Sequence, residues 1–303
     1  MGEGKYDTLE KYILASIKYY SKLNVLKNHS LPINVFTESN MTTSSQLKFP
    51  GKIACSKLKD SDNVPELYAI SDSGNHRILI IDPSGTVLHR VGGKLEGFID
   101  GDFKTCRFNS PQGLTFFNEN IIFVADTENH AIRKIDLTFK TVETIAGTGQ
   151  QGEDRIGGKI GKLQELSSPW DVAVYNTRDM DMSFHIDETS IPIKNILLIA
   201  IAGLHQIWAV FLEEVIWWKF KKYAAGTVIA IAGNGREENR NNSYPQNASF
   251  AQPSGFGLSM ENKELYIADS ESSTVRKLSL TDGKVLPVAG GERNPLVIIF
   301  FFV

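Results

Sequence analysis

The chain has 303 residues, of which 42% are hydrophobic and 22% are charged, a balance that excludes disordered and collagen-like proteins. Its 32 basic and 35 acidic residues give a formal net charge of −3, so no general electrostatic field draws it to nucleic acid or to an anionic membrane. The two cysteines, Cys55 and Cys106, match neither a CxxC pair nor the spacing of zinc ligands, which argues against redox and zinc chemistry.

Residues 1–45 precede the first repeated segment and are treated as a separate N-terminal region. The first ten residues are charged and lack the apolar core of a secretory signal. We therefore expect the protein in the cytosol.

A block of roughly forty residues occurs twice with clear internal similarity, and such repetition indicates a stacked supersecondary unit. It runs from Phe108 to Gly149 and again from Phe250 to Gly291. Each copy begins with Phe and Pro-x-Gly, continues with an apolar strand that ends in Ala-Asp, and then has a polar turn. A strand containing Arg-Lys and a last strand that closes on Ala-Gly complete the block.

Two further copies are less regular. One covers Leu67–Gly93 and is expected to start at Pro50, where a Pro-Gly pair opens an apolar segment. The other lies between Ser168 and Gly235, has Ile201 at the position of the aspartate, and contains two insertions. Insertions of this kind are expected as surface loops between strands. The insertions are Thr177–Asn195 and Glu213–Ala225.

The apolar segment Ile196–Leu212 has the length of a membrane span, which is one possible interpretation. Gly203, His205 and Gln206 interrupt its centre, and it coincides with a repeated block. We therefore predict two short buried strands around a turn and no membrane association.

Each copy offers about four short apolar segments bounded by Gly, Pro, Asn and Asp, a pattern that predicts a four-stranded antiparallel sheet. A sheet with two partly apolar faces is buried when copies stack around an axis. We predict an all-β fold, a β-propeller over residues 46–295 with about four recognisable blades and hence an incomplete ring. The apolar tail, residues 296–303, is too short to span a bilayer.

The polar turn of two copies reads Asp-x-x-Asn-His and resembles the motif that names the NHL repeat family; the third regular copy keeps its aspartate but has Ser-Ser in place of Asn-His. These turn residues are Asp72, Asn75, His76, Asp126, Asn129, His130 and Asp269. The resemblance implies an NHL-type propeller preceded by a short linker helix near residues 16–30. It is closest to family members with a thioredoxin-like domain, six blades and a C-terminal β-rich domain. The sequence lacks those two flanking domains, so we expect a truncated isoform without their redox role.

The repeated aspartates could serve as metal ligands or as acid–base groups lining a channel. We favour a structural role, because an Asp before a short turn can accept backbone N–H bonds and hold a hairpin. The histidines of the same turns are expected to bond neighbouring carbonyl groups. We therefore expect no catalytic residues, no cofactor and no metal.

Three features could support recognition of a partner. Arg133 and Lys134, and their counterparts Arg276 and Lys277, recur in the repeat and could bind a partner protein or RNA. A polar, charged run is a candidate partner-contact loop and comprises Arg236, Glu237, Glu238, Asn239 and Arg240. Trp217 and Trp218 are either core residues or an exposed contact.

The resulting hypothesis is a non-catalytic propeller that binds a protein partner or acts as a scaffold, with no nucleic acid, membrane or small-molecule substrate. Two alternatives stay open, because propellers also form metal-dependent lyases and hydrolases and RNA-binding proteins. An unclosed ring exposes apolar blade faces, so we also expect self-association.

Overall fold

The computed structural model describes residues 47–56, 66–93, 95–178, 193–218 and 221–290, and several helical positions between residues 14 and 22. The chain divides into two compact units, Met1–Ser45 and Gln46–Val303. The described part of the first unit is one short helix, and the second unit contains all of the strands. The predicted apolar tail, residues 296–303, lies outside the described residues.

Four antiparallel sheets make up the second unit, one for each predicted copy of the repeat. We number them blades 1 to 4 in chain order. Blade 1 contains β1 (Pro50–Cys55), β2 (Tyr68–Asp72), β3 (Arg77–Ile81) and β4 (Val87–Gly92). Blade 2 contains β5 (Gly101–Asp102), β6 (Pro111–Phe116), β7 (Ile121–Asp126), β8 (Ala131–Asp136) and β9 (Thr141–Ala146).

Blades 3 and 4 repeat this arrangement, and blade 3 carries an additional hairpin. Blade 3 contains β10 (Gly157–Ile160), β11 (Pro169–Arg178), β12 (Ile193–Ile201), β13 (Gln206–Phe211) and β16 (Thr227–Ala232). The additional hairpin pairs β14 (Val215–Trp217) with β15 (Lys221–Tyr223). Blade 4 contains β17 (Pro253–Ser259), β18 (Glu264–Asp269), β19 (Thr274–Ser279) and β20 (Val285–Gly290).

The hydrophobic core lies between successive blades, in three clusters. One cluster joins blades 1 and 2 through residues such as Ile80 and Phe108, the next joins blades 2 and 3 through Phe123 and Trp208, and the last joins blades 3 and 4. Alternation along each strand sends successive side chains to opposite faces, so one sheet contributes to two clusters. We call the face toward the following blade the trailing face and the face toward the preceding blade the leading face. This radial stacking of sheets is the predicted β-propeller arrangement, with four blades.

The segment Ile196–Leu212 forms parts of β12 and β13, joined by a turn at Ala202–Leu204, as predicted. None of the helices in the part of the chain that the structure describes is long and apolar enough to cross a membrane.

The insertion at Glu213–Ala225 is packed against the core and is not a free surface loop. It forms the β14–β15 hairpin, in which Trp217 and Trp218 are buried and stacked with ring centroids 4.2 Å apart. The Trp218 Nε1–H donates to the Leu280 carbonyl of blade 4 at 2.7 Å. The alternative that these tryptophans form an exposed contact is therefore wrong, and they fill the junction of blades 3 and 4.

The polar turns of the repeat lie on one side of the propeller. In each blade, the turn after β2, β7, β12 or β18 lies beside the start of β1, β6, β11 or β17, as the pairing of these strands shows. The paired residues are Pro50 and Asp72, Pro111 and Asp126, Pro169 and Ile201, and Pro253 and Asp269. The connections that lead from one blade to the next arrive at this same end. We call this side the loop face. The inter-blade connections are residues 93–110, 147–168 and 233–252, and within the first two β5 and β10 run along the outer edges of blades 2 and 3 to the ends of β9 and β16 away from the loop face.

Candidate partner-binding face

The aspartate of the turn is a buried structural acceptor in blade 2. Asp126 Oδ1 accepts the Asn109 backbone N–H at 2.7 Å. Its Oδ2 accepts the Asn129 side-chain amide at 2.8 Å and Arg133 Nη1 at 2.7 Å. Burial raises the pKa of Asp126 to about 6, and the charge of Arg133 and these hydrogen bonds oppose that shift. The carboxylate therefore has its partners inside the protein.

Blades 1 and 4 repeat the arrangement with local variations. Asp72 accepts the Lys48 N–H at 2.6 Å, the Asn75 amide at 2.8 Å and Arg77 Nε at 2.7 Å. Asp269 accepts two backbone N–H groups at 2.8 Å, from residues 251 and 252, and the Ser272 hydroxyl at 2.9 Å. Among the residues that the structure describes, no three His, Cys, Asp or Glu side chains come together to hold a metal ion.

Arg133 is buried inside blade 2, so its predicted role as a partner contact is wrong. Besides Asp126, its guanidinium donates to the carbonyl groups of Arg107 at 2.9 Å and Ile99 at 2.7 Å, and to Asp100 at 3.0 Å. A guanidinium has five N–H donors in a fixed fork, which suits it to collect several acceptors. Arg133 thus holds the loop between blades 1 and 2 in place from the interior of blade 2.

Arg276 does the same for the loop between blades 3 and 4. It bonds the carbonyl groups of Ser249 and, at 2.6 Å, Arg240, and the Asn241 side chain at 2.9 Å. Its guanidinium also lies 4.7 Å from the centroid of the Phe250 ring. The recurring arginine is therefore a positioning residue for the inter-blade loop that precedes its own blade.

Blade 3 replaces both members of the buried pair by apolar residues. Ile201 occupies the position of Asp126 and Trp208 that of Arg133, and both are buried. The Trp208 Nε1–H donates to Gln206 Oε1 at 3.1 Å, and the Gln206 amide reaches the carbonyl group of Arg155 at 3.0 Å. Buried ion pairs are often exchangeable for well-packed apolar residues when both partners change together.

The histidines of the turns connect successive blades. His76, His130 and His205 all have positive φ, between 49° and 57°. The Nδ1 atom of each ring lies within hydrogen-bond distance of the backbone that leads into the next blade. The Ser168 N–H donates to His130 Nδ1 at 2.9 Å, and the Ser110 N–H donates to His76 Nδ1 at 3.1 Å. Burial lowers the pKa of His130, which favours the neutral imidazole that accepts this bond.

The lysines next to the buried arginines are partly exposed but paired within their own blades. Lys134 Nζ lies 2.8 Å from Glu143, and Lys277 Nζ lies 2.6 Å from Glu264. The RNA-binding alternative was based on these Arg-Lys pairs. The arginines are buried and the lysines are paired with neighbouring carboxylates. These residues therefore have little free positive charge with which to bind a phosphate backbone.

An ion pair that the sequence did not predict lies where β1, β11 and β17 converge. Lys52 Nζ, on β1, contacts both carboxylate oxygens of Asp171, on β11, at 2.5 and 2.7 Å. Asp171 is buried and also accepts the Phe256 N–H of β17 at 2.8 Å. Burial raises the pKa of Asp171, and Lys52 opposes that shift. The pair joins residues of blades 1, 3 and 4.

The predicted contact segment, residues 236–240, is exposed on the loop face, and its backbone is held by hydrogen bonds. Arg240 and Ser249 exchange backbone hydrogen bonds at 3.0 and 3.3 Å, and the Glu238 carboxylate accepts the Ser249 hydroxyl at 3.2 Å. In the described residues, the side chains of Arg236, Glu237 and Arg240 have no ion-pair partner. The backbone of this segment is therefore fixed, while three of its charged side chains point to solvent without an ion-pair partner among the described residues.

Apolar side chains are also exposed in the inter-blade connections. The exposed side chains include Leu95, Phe98, Ile99, Ile156 and Tyr244. A cavity of about 230 Å³ is lined by Phe98 and Thr144 and bordered by Lys162, which lies 2.9 Å from Asp100. Burial would raise the pKa of Asp100, but its bonds to Lys162 and Thr144 lower it below the usual range. Mixed apolar and charged surface of this kind is typical of protein contacts.

Comparison with known proteins places the chain beside a small group of relatives. The family model for the NHL repeat matches residues 108–135, which contain β6, β7 and most of β8. NHL repeat-containing protein 2 of Homo sapiens is 43% identical over 303 residues, covering 99% of this chain, and that of Bos taurus is 44% identical over the same share.

A plant protein is also similar. Protein SUPPRESSOR OF QUENCHING 1, chloroplastic, of Arabidopsis thaliana is 40% identical over 294 residues, which is 96% of this chain and 25% of the plant protein. The matched region is 39% of the human and bovine proteins, so the chain spans about two fifths of their length.

Proposed function

We propose that this chain, an NHL-repeat β-propeller related to NHL repeat-containing protein 2, binds a protein partner through its loop face and catalyses no reaction itself. The observation that carries this proposal is the segment of residues 236–240. Its backbone is held by Arg276 and Ser249, while three of its charged side chains have no ion-pair partner in the described residues. A pre-ordered loop loses little entropy on binding, which favours recognition.

The repeated ionisable groups support the non-catalytic part of the proposal. The aspartates accept backbone, amide and guanidinium hydrogens, and the histidines bond the next blade. Catalytic groups need a reacting atom within hydrogen-bond reach and a site that admits substrate. Asp126 is buried within its own network, so a propeller enzyme would have to use other residues.

The cytosolic location belongs to the same proposal. It is supported by the two cysteines, Cys55 and Cys106, which are both free thiols, as is usual in a reducing compartment. The name of the plant relative gives a chloroplast location for that protein. Fractionation of cells that express the tagged full-length protein tests this point directly; recovery in an organelle fraction would overturn it.

Affinity capture with a matched pair of variants tests the binding face. Arg236→Glu combined with Arg240→Glu reverses two exposed charges on the loop face. Lys140→Glu combined with Lys263→Glu makes the same change of charge in exposed turns at the opposite ends of the strands. We expect a partner recovered with the wild-type chain, and rebound by it after purification, to be lost with the first variant and kept with the second. Equal retention, or equal loss, by both variants would refute the proposed face.

Metal analysis of the same purified chain addresses the enzyme alternative. A stoichiometric ion that stays with the chain through dialysis would favour a metal-dependent propeller enzyme, and a metal-free chain would count against it. Crosslinking to RNA that weakens with salt would favour the RNA-binding alternative.

A further inference from the structure

We propose that a cavity over the turn of blade 3 binds a segment of the partner protein that carries one carboxylate, and that Arg155 and Arg236 hold this carboxylate. The inference rests on the proposed function, because it names the chemistry that the loop face recognises in its partner. It depends on a local departure of blade 3 from the repeat.

In blade 2, the turn is tied to the loop that precedes the blade. The Asn129 side-chain amide donates to the Gly97 carbonyl group at 2.8 Å. Arg133 donates to the Ile99 carbonyl group at 2.7 Å. These bonds hold the loop against the turn.

Blade 3 has apolar or aromatic side chains at the positions of both donors. Leu204 stands where blade 2 has Asn129, one residue before the histidine of the turn. Trp208 stands where blade 2 has Arg133. Because Leu204 has no donor, it cannot bond the loop that precedes blade 3 in the way that Asn129 bonds Gly97.

An open space lies on the loop face at this point. A cavity of about 700 Å³ separates the blade 3 turn from the preceding loop, and it is lined by residues 151–156, Ser167, Gly203 and Leu204. We call it the blade 3 cavity. Cavities that bind ligands commonly have volumes of about 300–1,000 Å³, so this one is large enough to receive side chains of a partner segment.

Two arginines from successive inter-blade connections approach each other beside the blade 3 cavity. Arg155 lines the cavity, and its side chain lies along the backbone at Gly235, where a Cβ atom would be 2.7 Å from Cδ and 3.0 Å from Nε of Arg155. Arg236 is the next residue of the chain. Both arginines are exposed, and among the described residues neither has an ion-pair partner. Guanidinium groups suit carboxylates, because their N–H donors match the two carboxylate oxygens.

The acidic side chains of the cavity limit what the arginines can bind. Asp154 has partners inside the protein, because it accepts the Gln164 amide at 3.0 Å and the Ile156 N–H at 2.9 Å. Glu153 is exposed and has no ion-pair partner in the part of the chain that the structure describes. Its charge repels further anions nearby. The arrangement therefore favours a protein segment with one carboxylate over nucleic acid or a polyacidic segment.

An apolar contact adjoins Arg155. Ile156 lines the cavity and is 74% exposed, and the buried Leu204 forms another part of the wall. The Arg155 carbonyl group accepts the Gln206 amide at 3.0 Å. The Ile156 carbonyl group accepts the Ala230 N–H at 3.1 Å. This fixed backbone loses little conformational entropy on binding, and we expect an apolar residue beside the acidic residue of the bound segment.

Selection from a phage-displayed library of short random peptides, with the full chain as the target, tests this proposal. We expect the enriched peptides to share one Asp or Glu with an apolar neighbour. The affinity of a selected peptide, measured by fluorescence anisotropy, should fall about tenfold when its carboxylate is replaced by the amide, because a hydrogen bond to a charged group is lost.

Variants of the chain report the sign of the charge that is bound. Arg155→Gln and Arg236→Gln should each weaken the binding of the selected peptide about tenfold, and Glu153→Gln should strengthen it, because a repelling charge is removed. Lys140→Gln, in an exposed turn of blade 2 at the opposite ends of the strands, is the control and should leave the affinity unchanged. All four side chains are exposed, so each variant should fold, which its melting curve checks.

A library that yields no acidic peptide would overturn the proposal, as would an affinity that is unchanged in Arg155→Gln or lowered in Glu153→Gln. The binding face is judged separately, by partner capture with the combined Arg236→Glu and Arg240→Glu changes. If that capture depends on the loop face while Arg155→Gln binds the peptide as the wild type does, the proposed function stands and the cavity proposal fails. Equal retention of the partner refutes the proposed face without altering the peptide titrations, so the two failures are distinguishable.

Discussion

Exchanging the buried ion pair of blade 2 for the apolar pair of blade 3 is the most informative perturbation of this fold. The single variants are Asp126→Ile and Arg133→Trp, and the double variant carries both changes. Asp126→Ile leaves Arg133 with its loop carbonyls and Asp100. Arg133→Trp leaves a buried carboxylate without a cation. Breaking one side of a buried pair costs about 3–5 kcal/mol. Arg133→Trp should approach this loss, and Asp126→Ile should lose less because Asp100 remains beside the guanidinium.

The double variant should cost less than the sum of the two single variants. Removing both charges eliminates the uncompensated group, and coupling energies between contacting residues reach about 0.5–3 kcal/mol. We do not expect full recovery, because the Arg107 carbonyl group loses its donor, which costs about 1–3 kcal/mol for a group left buried and unpaired, whereas the Ile99 carbonyl keeps the Arg107 N–H. Blade 3 compensates with Gln206, so adding Ala131→Gln to the double variant should recover part of the remaining loss.

Urea unfolding followed by circular dichroism measures these free energies if the transitions are two-state. Lys134→Met is the control, because the partly exposed Lys134–Glu143 pair should contribute less than about 1 kcal/mol. Strictly additive costs for the two buried changes, or an Asp126→Ile variant as stable as the wild type, would refute the reasoning.

Three further expectations follow from the same contacts. Lys52→Met leaves Asp171 buried without its cation and should lower the free energy of unfolding by about 3–5 kcal/mol, whereas the paired change with Asp171→Asn should cost less, as chemical denaturation would show. His130→Ala leaves the Ser168 N–H without its acceptor; we expect a loss of about 1–3 kcal/mol and faster hydrogen exchange at that amide, and unchanged exchange would contradict the assignment. Burial raises the pKa of Asp126 to about 6 from its ordinary 3.8, so the folded state holds a proton that the unfolded state releases in this interval. The stability of the wild type relative to Asp126→Asn should therefore fall as the pH rises through about 6, and a difference that is independent of pH would exclude this shift.

The fold could be predicted because its signals are local and repeated. Pro-x-Gly, Ala-Asp and Ala-Gly recur at fixed spacing, and each marks a point where the chain turns or where backbones approach closely. The divergent copy kept enough apolar alternation to place β12 and β13 correctly, although Ile201 replaces the aspartate. The hairpin of the second insertion was missed, since nothing local indicates that Trp217 packs inward.

The role of Arg133 was mispredicted although the sequence contains a signal for it. An Arg beside a Lys in a strand looks like surface charge, but alternation places only one of the two toward solvent. Asp126 and Arg133 are replaced together in the divergent copy, by Ile201 and Trp208, and a joint replacement across repeats indicates contact. The Lys52–Asp171 pair has no such signal, because its members are 119 residues apart and meet only through the arrangement of the blades.

Hydrogen exchange of the wild type and an Arg276→Met variant tests most directly whether the buried arginines hold the loops whose outward charges are proposed to bind a partner. Arg276 bonds the carbonyl groups of Arg240 and Ser249, whose amides are themselves hydrogen-bonded. We expect faster exchange across residues 236–249 in the variant, with the amide of Arg107 in the loop held by Arg133 unchanged. Unaltered protection in residues 236–249, or a loss of protection spread over all four blades, would contradict the assignment.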